Sequence, residues 1–545
     1  MKSKQYLIAL CLCISHFIAL ADDYPRNFNI DILHYKFEIT LSDNTDELIG
    51  KATITIKFKT SDTKKIRLDL INKTEQRLAK GMVVDAVLCN NEQVNFTHIN
   101  DALEINLSAK PKKNEVFYVV VQYRGIPAGG LKIGKTKYGD RSFFNENWPN
   151  NTRHWLPTID HPYDKATSEF IVIAPAKYKI ISNGLLQEES NLGKGLKLTH
   201  WKQSIPVSTW LFVLGVAEFA VQYVDEFKGK SIQTWVYPQD REIGFIDFAE
   251  PTKQVLEFYS GYVGPYAYEK LANIQSPSVS GGMETSSAIF YGENLVTGKP
   301  NNIRLRNVVI HEIAHQWFGN AITESTWDDA WLSEGFATYF TLLFQEYAYG
   351  HEEYIAGLKN AKTAIYNFAK KDSTFSIIDN RSAETTTVTN TLTYQKGAWI
   401  LHMLRERIGH ENFKKGIQAY YKKYFNANAC TNDFITQMEK ASNQDLKLFF
   451  NQWLYKPDHL KIKAHWDYDA ANKQINLQIE QVQSGDFLFD FPIEIEVFNP
   501  QKNASEVFKF TINKKTTLIP IPYTEKPSNI QLDPRNVLLA TIEVQ

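Results

Sequence analysis

The chain has 545 residues, of which 43% are hydrophobic, 13% aromatic and 22% charged, with 60 Lys+Arg set against 61 Asp+Glu. At roughly 150 residues per domain this length predicts three or four domains, and so aromatic a composition excludes a chain disordered throughout. A net charge of -1 leaves no bulk field for nucleic acid, and a mean hydropathy of -0.34 excludes a polytopic membrane protein.

At the N-terminus, Lys2 and Lys4 precede an apolar run from Tyr6 to Leu20 that only Ser15 and His16 interrupt. Ala19-Leu20-Ala21 closes it, and Asp22 and Asp23 follow. This is the layout of a cleaved secretory signal over residues 1–21. The alternative, a membrane anchor, needs about 20 apolar residues, and this run is shorter. The expectation is export, to a periplasm or outside the cell, with no stable membrane insertion after cleavage. Cys11 and Cys13 leave with the leader. Cys89 and Cys430 remain, either as two buried thiols or joined across two domains.

Residues 22–222 read as strands. Tyr35, Phe37, Ile39 and Leu41 alternate with polar residues, as do Ala52, Ile54, Ile56 and Phe58, and then Ile66, Leu68 and Leu70. Such a period of two marks strands with one buried face. Lys110-Pro111-Lys112-Lys113 is a solvated turn between them. From about Phe245 the period changes, with Phe248, Val255, Leu256 and Tyr259 at helical spacing. Helical patterns continue through Trp453, apart from a strand-like stretch near Leu271 to Phe290. Gly409 stops one helix and Pro457 blocks the last. An α-rich domain is therefore expected over 223–456. Alternation then returns in Ile475, Leu477 and Ile479, in Ile493, Ile495 and Val497, and in Phe508, Phe510 and Ile512, which predicts a small β-sandwich over 457–545. The fold class is α+β and multidomain, in the order β, α-rich, β.

The most informative segment is His311-Glu312-Ile313-Ala314-His315, set in an apolar, helix-compatible run. On a helix, positions i and i+4 share a face, so both imidazoles can bind one Zn²⁺ with Glu312 beside them. A catalytic zinc needs a third protein ligand and an open position. Glu334, in Trp331-Leu332-Ser333-Glu334-Gly335-Phe336-Ala337, is the candidate, at the start of a second, antiparallel helix.

The stretch from His311 to Asn320, followed by Trp327-Asp328-Asp329-Ala330-Trp331-Leu332-Ser333-Glu334-Gly335-Phe336-Ala337, resembles the gluzincin aminopeptidases of the aminopeptidase N and leukotriene hydrolase group. Gly281-Gly282-Met283-Glu284-Thr285 resembles the exopeptidase motif of that family. Tyr394-Gln395-Lys396-Gly397-Ala398 resembles the segment that carries its catalytic tyrosine, and Arg153-His154-Trp155 through Pro162 extends the likeness weakly upstream.

The resemblance implies a saddle-like N-terminal β domain and a thermolysin-like catalytic domain. It implies one Zn²⁺ per chain on His311, His315 and Glu334, and peptide substrates with a free N-terminus. Glu312 is implied as general base, Tyr394 as oxyanion donor, and Glu284 as partner of the substrate α-ammonium. Gly281, Gly282 and Met283 are implied to form an edge strand along which the peptide lies. The helical C-terminal domain of longer members is not expected, because the chain ends after the second β segment. Two positions depart from the pattern: Thr285 stands where the family carries Asn or His, and Trp148-Pro149 where many members carry Glu-Pro. Trp148 is expected to narrow the first pocket and leave amine recognition to Glu284. Two other readings use the same fold: an epoxide hydrolase with the same zinc, and a peptide-binding scaffold without turnover.

Overall fold

Alternation builds the N-terminal region. In the computed structural model, which describes residues 22–249, 251–299, 302–378, 389–499, 501 and 503–545, strands Ile30–Thr40 and Leu48–Phe58 pair antiparallel. Tyr35 stands opposite Ile54 and Phe37 opposite Ala52, and all four are buried. These two strands sit centrally in an eight-stranded sheet whose pairings are antiparallel except that of Ile30–Thr40 with Ala166–Pro175. Smaller sheets complete the region, including one that carries Leu131–Lys135 beside Arg141–Asn145. The leader expected over residues 1–21 lies outside the described residues.

A second sheet of five strands begins at Ala220 and carries the site. Its spatial order is Ala220–Phe227, Lys230–Val236, Lys270–Ser276, Ala288–Gly292 and Gly282–Met283. The three inner strands are parallel and the two outer ones antiparallel. Every residue of Lys270–Ser276 is buried, as expected of a strand covered on both faces. Gly282–Met283 is the edge.

The helices are α1 (Arg241–Ala249), α2 (Thr252–Tyr262), α3 (Ile303–His315), α4 (Trp331–Tyr349), α5 (His351–Lys371), α6 (Gly397–Ile408), α7 (His410–Tyr424), α8 (Thr431–Ser442) and α9 (Lys447–Leu454). The helical spacing from Phe248 to Tyr259 is divided between α1 and α2, because Pro251 has no N–H to continue a helix. Asn302 caps α3 by accepting the Leu305 N–H at 3.2 Å. The α4 helix is buried on nearly every side and packs against α3, α5 and α6. Gly409 ends α6 at a φ of 85°.

After Pro457 the chain forms a four-stranded and a three-stranded sheet. Ile475, Leu477, Ile479, Ile493, Ile495 and Val497 are all buried. The third alternating set behaves differently. Ile512 is buried but Phe508 and Phe510 are only partly so, because Ala504–Ile512 lies at a sheet edge. Cys89 is buried, Cys430 is half-buried at the start of α8, and both are free thiols, so the cross-domain disulfide does not form. Among the described residues no helix is long and apolar enough to cross a membrane.

One close approach sets the position of the site. A Cβ on Gly335 would lie 2.9 Å from the Gly397 Cα and 3.1 Å from the Thr393 carbonyl oxygen. The turn before α6 therefore rests directly on the backbone of α4. Gly335→Ala is expected to lower unfolding stability by about 1–3 kcal/mol through overpacking, read from the denaturant midpoint. An unchanged midpoint would mean that the two backbones separate freely.

Candidate metal centre

The two histidines lie one turn apart on α3, with ring centroids 4.7 Å apart and Nε2 atoms 3.1 Å apart. Glu334, in the first turn of α4, faces them. Its Oε2 lies 3.2 Å from His315 Nε2 and 3.5 Å from His311 Nε2, and no hydrogen bond satisfies it. A tetrahedral zinc with ligands at 2.0–2.1 Å has ligand-to-ligand edges of about 3.3 Å, so these three atoms have the spacing of one zinc face. The fit is also chemical, since two imidazoles and one carboxylate form a recurrent catalytic donor set.

The surrounding residues fix the ligands. His315 Nδ1 lies 3.1 Å from the Phe318 carbonyl oxygen and 3.0 Å from Ser333 Oγ, which turns Nε2 toward Glu334. Ser333 precedes Glu334 and ties α4 to α3 through this contact. Tyr394 sits on a π-helical turn, Leu392–Lys396, and its hydroxyl donates to Glu334 Oε1 at 2.7 Å. Its ring lies nearly parallel to that of His311, with centroids 6.2 Å apart.

The exopeptidase-like segment closes over the same atoms. Gly282 and Met283 pair with Tyr291 and Phe290, and the Gly281 carbonyl accepts the Gly292 N–H at 2.8 Å. A Cβ on Gly282 would stand 2.2 Å from Glu312 Oε1, so glycine here makes room for the Glu312 side chain as well as for a substrate backbone. Gly281 faces open space. The Glu284 carbonyl accepts Gln316 Nε2 at 3.0 Å and Asn320 Nδ2 at 2.5 Å, so residues just after the histidine motif orient this loop. Glu284 Oε1 is buried without a hydrogen bond, 3.8 Å from His315 Nδ1. Thr285 points away from the cavity and donates to the Ala288 carbonyl.

These groups line a cavity of about 570 Å³ that Trp148 also walls. Trp148 packs edge-on against Trp210 and Trp327, at 4.9 and 4.8 Å. Two lining residues escaped the sequence reading. Lys132 and Glu146 form a 2.6 Å ion pair, and Lys132 also donates to the Ser278 carbonyl. Lys132 lies on strand Leu131–Lys135 and Glu146 just beyond strand Arg141–Asn145, both in the N-terminal region, and no local pattern marks them. Asp22, which in the sequence only follows the expected leader, also has a structural role. It is paired with His161 at 2.7 Å and accepts the Trp327 N–H at 3.2 Å, and so braces the turn that leads into α4.

Burial dominates the electrostatics. It raises Glu312 well above the usual carboxylate range, with Glu284 adding to the effect, and it raises Glu284 too. Burial acts the same way on Glu334, but His315 and His311 outweigh it and hold the carboxylate low. Burial pulls His311 down. It pulls on His315 as well, yet Glu284, Glu334 and Glu312 together lift that imidazole to about 10. Burial and Glu334 keep Tyr394 a phenol.

The chain is similar to known proteins. Residues 248–453 match the Peptidase family M1 domain and residues 32–211 the Peptidase M1 N-terminal domain. The glutamyl aminopeptidase of Rattus norvegicus is 29% identical over 448 residues, which cover 78% of this chain and 47% of that protein. A probable aminopeptidase 1 of Saccharolobus solfataricus is 27% identical over 442 residues, covering 78% of this chain and 53% of that protein. The chain thus spans about half the length of these curated relatives. The crystal structure of an M1 zinc metallopeptidase from Deinococcus radiodurans shares the fold, with a TM-score of 0.67, 23% identity, and coverage of 80% of this chain and 96% of that one.

A ligand must be neutral at its donor nitrogen, and His315, raised to about 10, carries a proton at pH 7. Zinc uptake at pH 7 is therefore expected to release about one proton per ion, with apparent affinity rising roughly tenfold per pH unit near neutrality. Calorimetry in two buffers of different ionisation enthalpy measures the release. Uptake without it would contradict a proton on His315.

Proposed function

The chain belongs to peptidase family M1, and from that membership we propose an exported, zinc-dependent aminopeptidase that hydrolyses the first bond of peptides with a free N-terminus. The leader over 1–21 is cleaved before Asp22. The N-terminal β domain spans 22–222, the catalytic domain 223–456 and the C-terminal β-sandwich 457–545.

His311, His315 and Glu334 hold the ion. Zinc bound there supplies a Lewis acid that polarises the scissile carbonyl and acidifies a water. Glu312 lies beside the ligands with its carboxylate over Gly282. Burial and Glu284 make it a stronger base than a solvated carboxylate, suited to take the proton of the attacking water and return it to the leaving amine. Tyr394, kept protonated, has an O–H to give. In this structure it donates to Glu334, and in the reaction it turns to the oxygen on which charge develops. Gly281, Gly282 and Met283 offer an edge strand to the substrate backbone.

The observation that carries the exopeptidase reading is the Glu284 carboxylate. It is buried, one of its oxygens lacks a hydrogen bond, and it shares the cavity with the ligand cluster. An α-ammonium satisfies that oxygen and places the first peptide bond beside the ligands, while an acetylated terminus leaves it orphaned.

Purified protein is expected to hydrolyse aminoacyl arylamides at least about a hundredfold faster than their N-acetylated forms, since a buried unpaired carboxylate costs that much or more. Equal rates on both would remove the exopeptidase assignment. Glu312→Gln is expected to keep its zinc and lose about 10²–10⁴-fold in kcat. Full activity in that variant would leave the general base elsewhere.

A further inference from the structure

Lys396 is 1% exposed and lies two residues beyond Tyr394 on the same π-helical turn. Its ammonium donates to the carbonyls of Lys456 and Asp458, each at 3.2 Å. Those carbonyls belong to the loop between α9 and Leu460–Asp469, the first strand of the C-terminal sheets. Burial pulls the amine down to about 8, with Asp458 acting the other way. The Asp458 carboxylate is already engaged by His459 Nδ1 at 2.9 Å and Lys461 Nζ at 2.7 Å. What Lys396 holds, then, is the backbone of the loop.

Burying an ammonium costs more than burying a methionine of similar length, so fold stability alone does not explain the residue. The turn it sits on does. The turn closes through the Gly397 N–H to the Leu392 carbonyl, an i to i+5 bond wider than that of an α-helix. One side of the turn rests on α4 at Gly335, next to Glu334. Lys396 secures the other side to the root of the C-terminal sheets. Between these two contacts Tyr394 reaches Glu334 Oε1 at 2.7 Å. A π-turn released on one side can tighten to α geometry, which rotates the side chains it carries.

We propose that Lys396 is a positioning residue: by clamping the Tyr394 turn to the 456–458 loop it sets the phenol at the metal centre and makes the C-terminal sheets part of the catalytic apparatus. This rests on the reading above in which Tyr394 donates to the reacting oxygen.

The test is Lys396→Met in the full chain, alone and combined with Tyr394→Phe. Alone, it is expected to lower kcat about tenfold to a hundredfold, as a displaced catalytic group does, with KM and zinc content unchanged. In the Tyr394→Phe background it is expected to cost nothing further, because a residue that acts through Tyr394 has nothing left to position. Hydrogen exchange read by mass spectrometry is expected to quicken over 392–397 and stay unchanged over α3. Lys396→Gln keeps a donor but loses the charge and some length. It should fall between wild type and Met, and it carries the same cycle if Met does not fold.

An unchanged kcat with unchanged exchange would overturn the proposal. So would an equal loss in the Tyr394→Phe background. If the wild-type chain cleaves no peptide, the peptidase reading fails, and the exchange measurement still decides whether the clamp exists.

Discussion

Everything in the site follows from bringing one carboxylate, Glu334, against two imidazoles where it is buried. A bare buried carboxylate is costly, and three local features offset that cost. Its position in the first turn of α4 exposes it to the positive end of the helix. His315 and His311 stand at 3.2 and 3.5 Å from one of its oxygens, and the Tyr394 hydroxyl at 2.7 Å from the other. The two helices must stay in fixed register for this to persist. Ser333 on α4 reaching His315 on α3 supplies part of that register, and the contact of Gly335 with Gly397 supplies more.

The same arrangement places concentrated negative charge in a chain of almost zero net charge. Glu284, Glu312 and Glu334 converge on one cavity, with Glu146 at its edge paired to Lys132. Charge is concentrated there instead of being spread over the surface. Burial raises Glu284 and Glu312, so each holds a proton more readily than a solvated carboxylate, and a nearby cation opposes that effect. On the proposed reading, different members of this set draw the metal ion and the substrate amine: Glu334 faces the histidines and Tyr394, and Glu284 keeps an oxygen free. The geometry divides the two roles between residues of one chemical type.

The parts of this molecule that are legible in the sequence are those fixed by short-range patterns. Alternation in Tyr35–Leu41 and Ala52–Phe58 marks buried strand faces because side-chain direction on a strand has a period of two, and the burial follows it. His311, Glu312 and His315 declare themselves because a helix brings i and i+4 together. Glu334 needs a second helix to be placed, and only its surrounding motif identifies it. Contacts with backbone carbonyls leave no trace, because a carbonyl has no residue identity: Lys396 on Lys456 and Asp458, or Lys132 on Ser278, read as ordinary lysines. Edge position is equally silent. Phe508 and Phe510 alternate as regularly as Ile493 and Ile495 but have no sheet to cover them fully. A proline such as Pro251 marks a helix boundary, yet whether it ends a helix or starts one depends on where the chain turns next.

The cavity also explains why sheets outside the catalytic region belong to the site. The ligands come from α3 and α4, but one wall comes from Trp148 and from Lys132 and Glu146 in the N-terminal region. Trp148 is wedged between Trp210, also of that region, and Trp327, which precedes α4. Trp327 in turn gives its N–H to Asp22, the first described residue. A displacement of the N-terminal strands therefore moves the pocket wall and the start of the ligand helix together. The Tyr394 turn is tied on its far side to the start of the C-terminal sheets. The catalytic helices are thus braced from both β regions, and each brace ends within a few residues of a group that faces the cavity. A site that depends on three donor atoms lying 3.1 to 3.5 Å apart cannot tolerate loose helices. The two β regions supply the rigidity that a pair of helices lacks when standing alone.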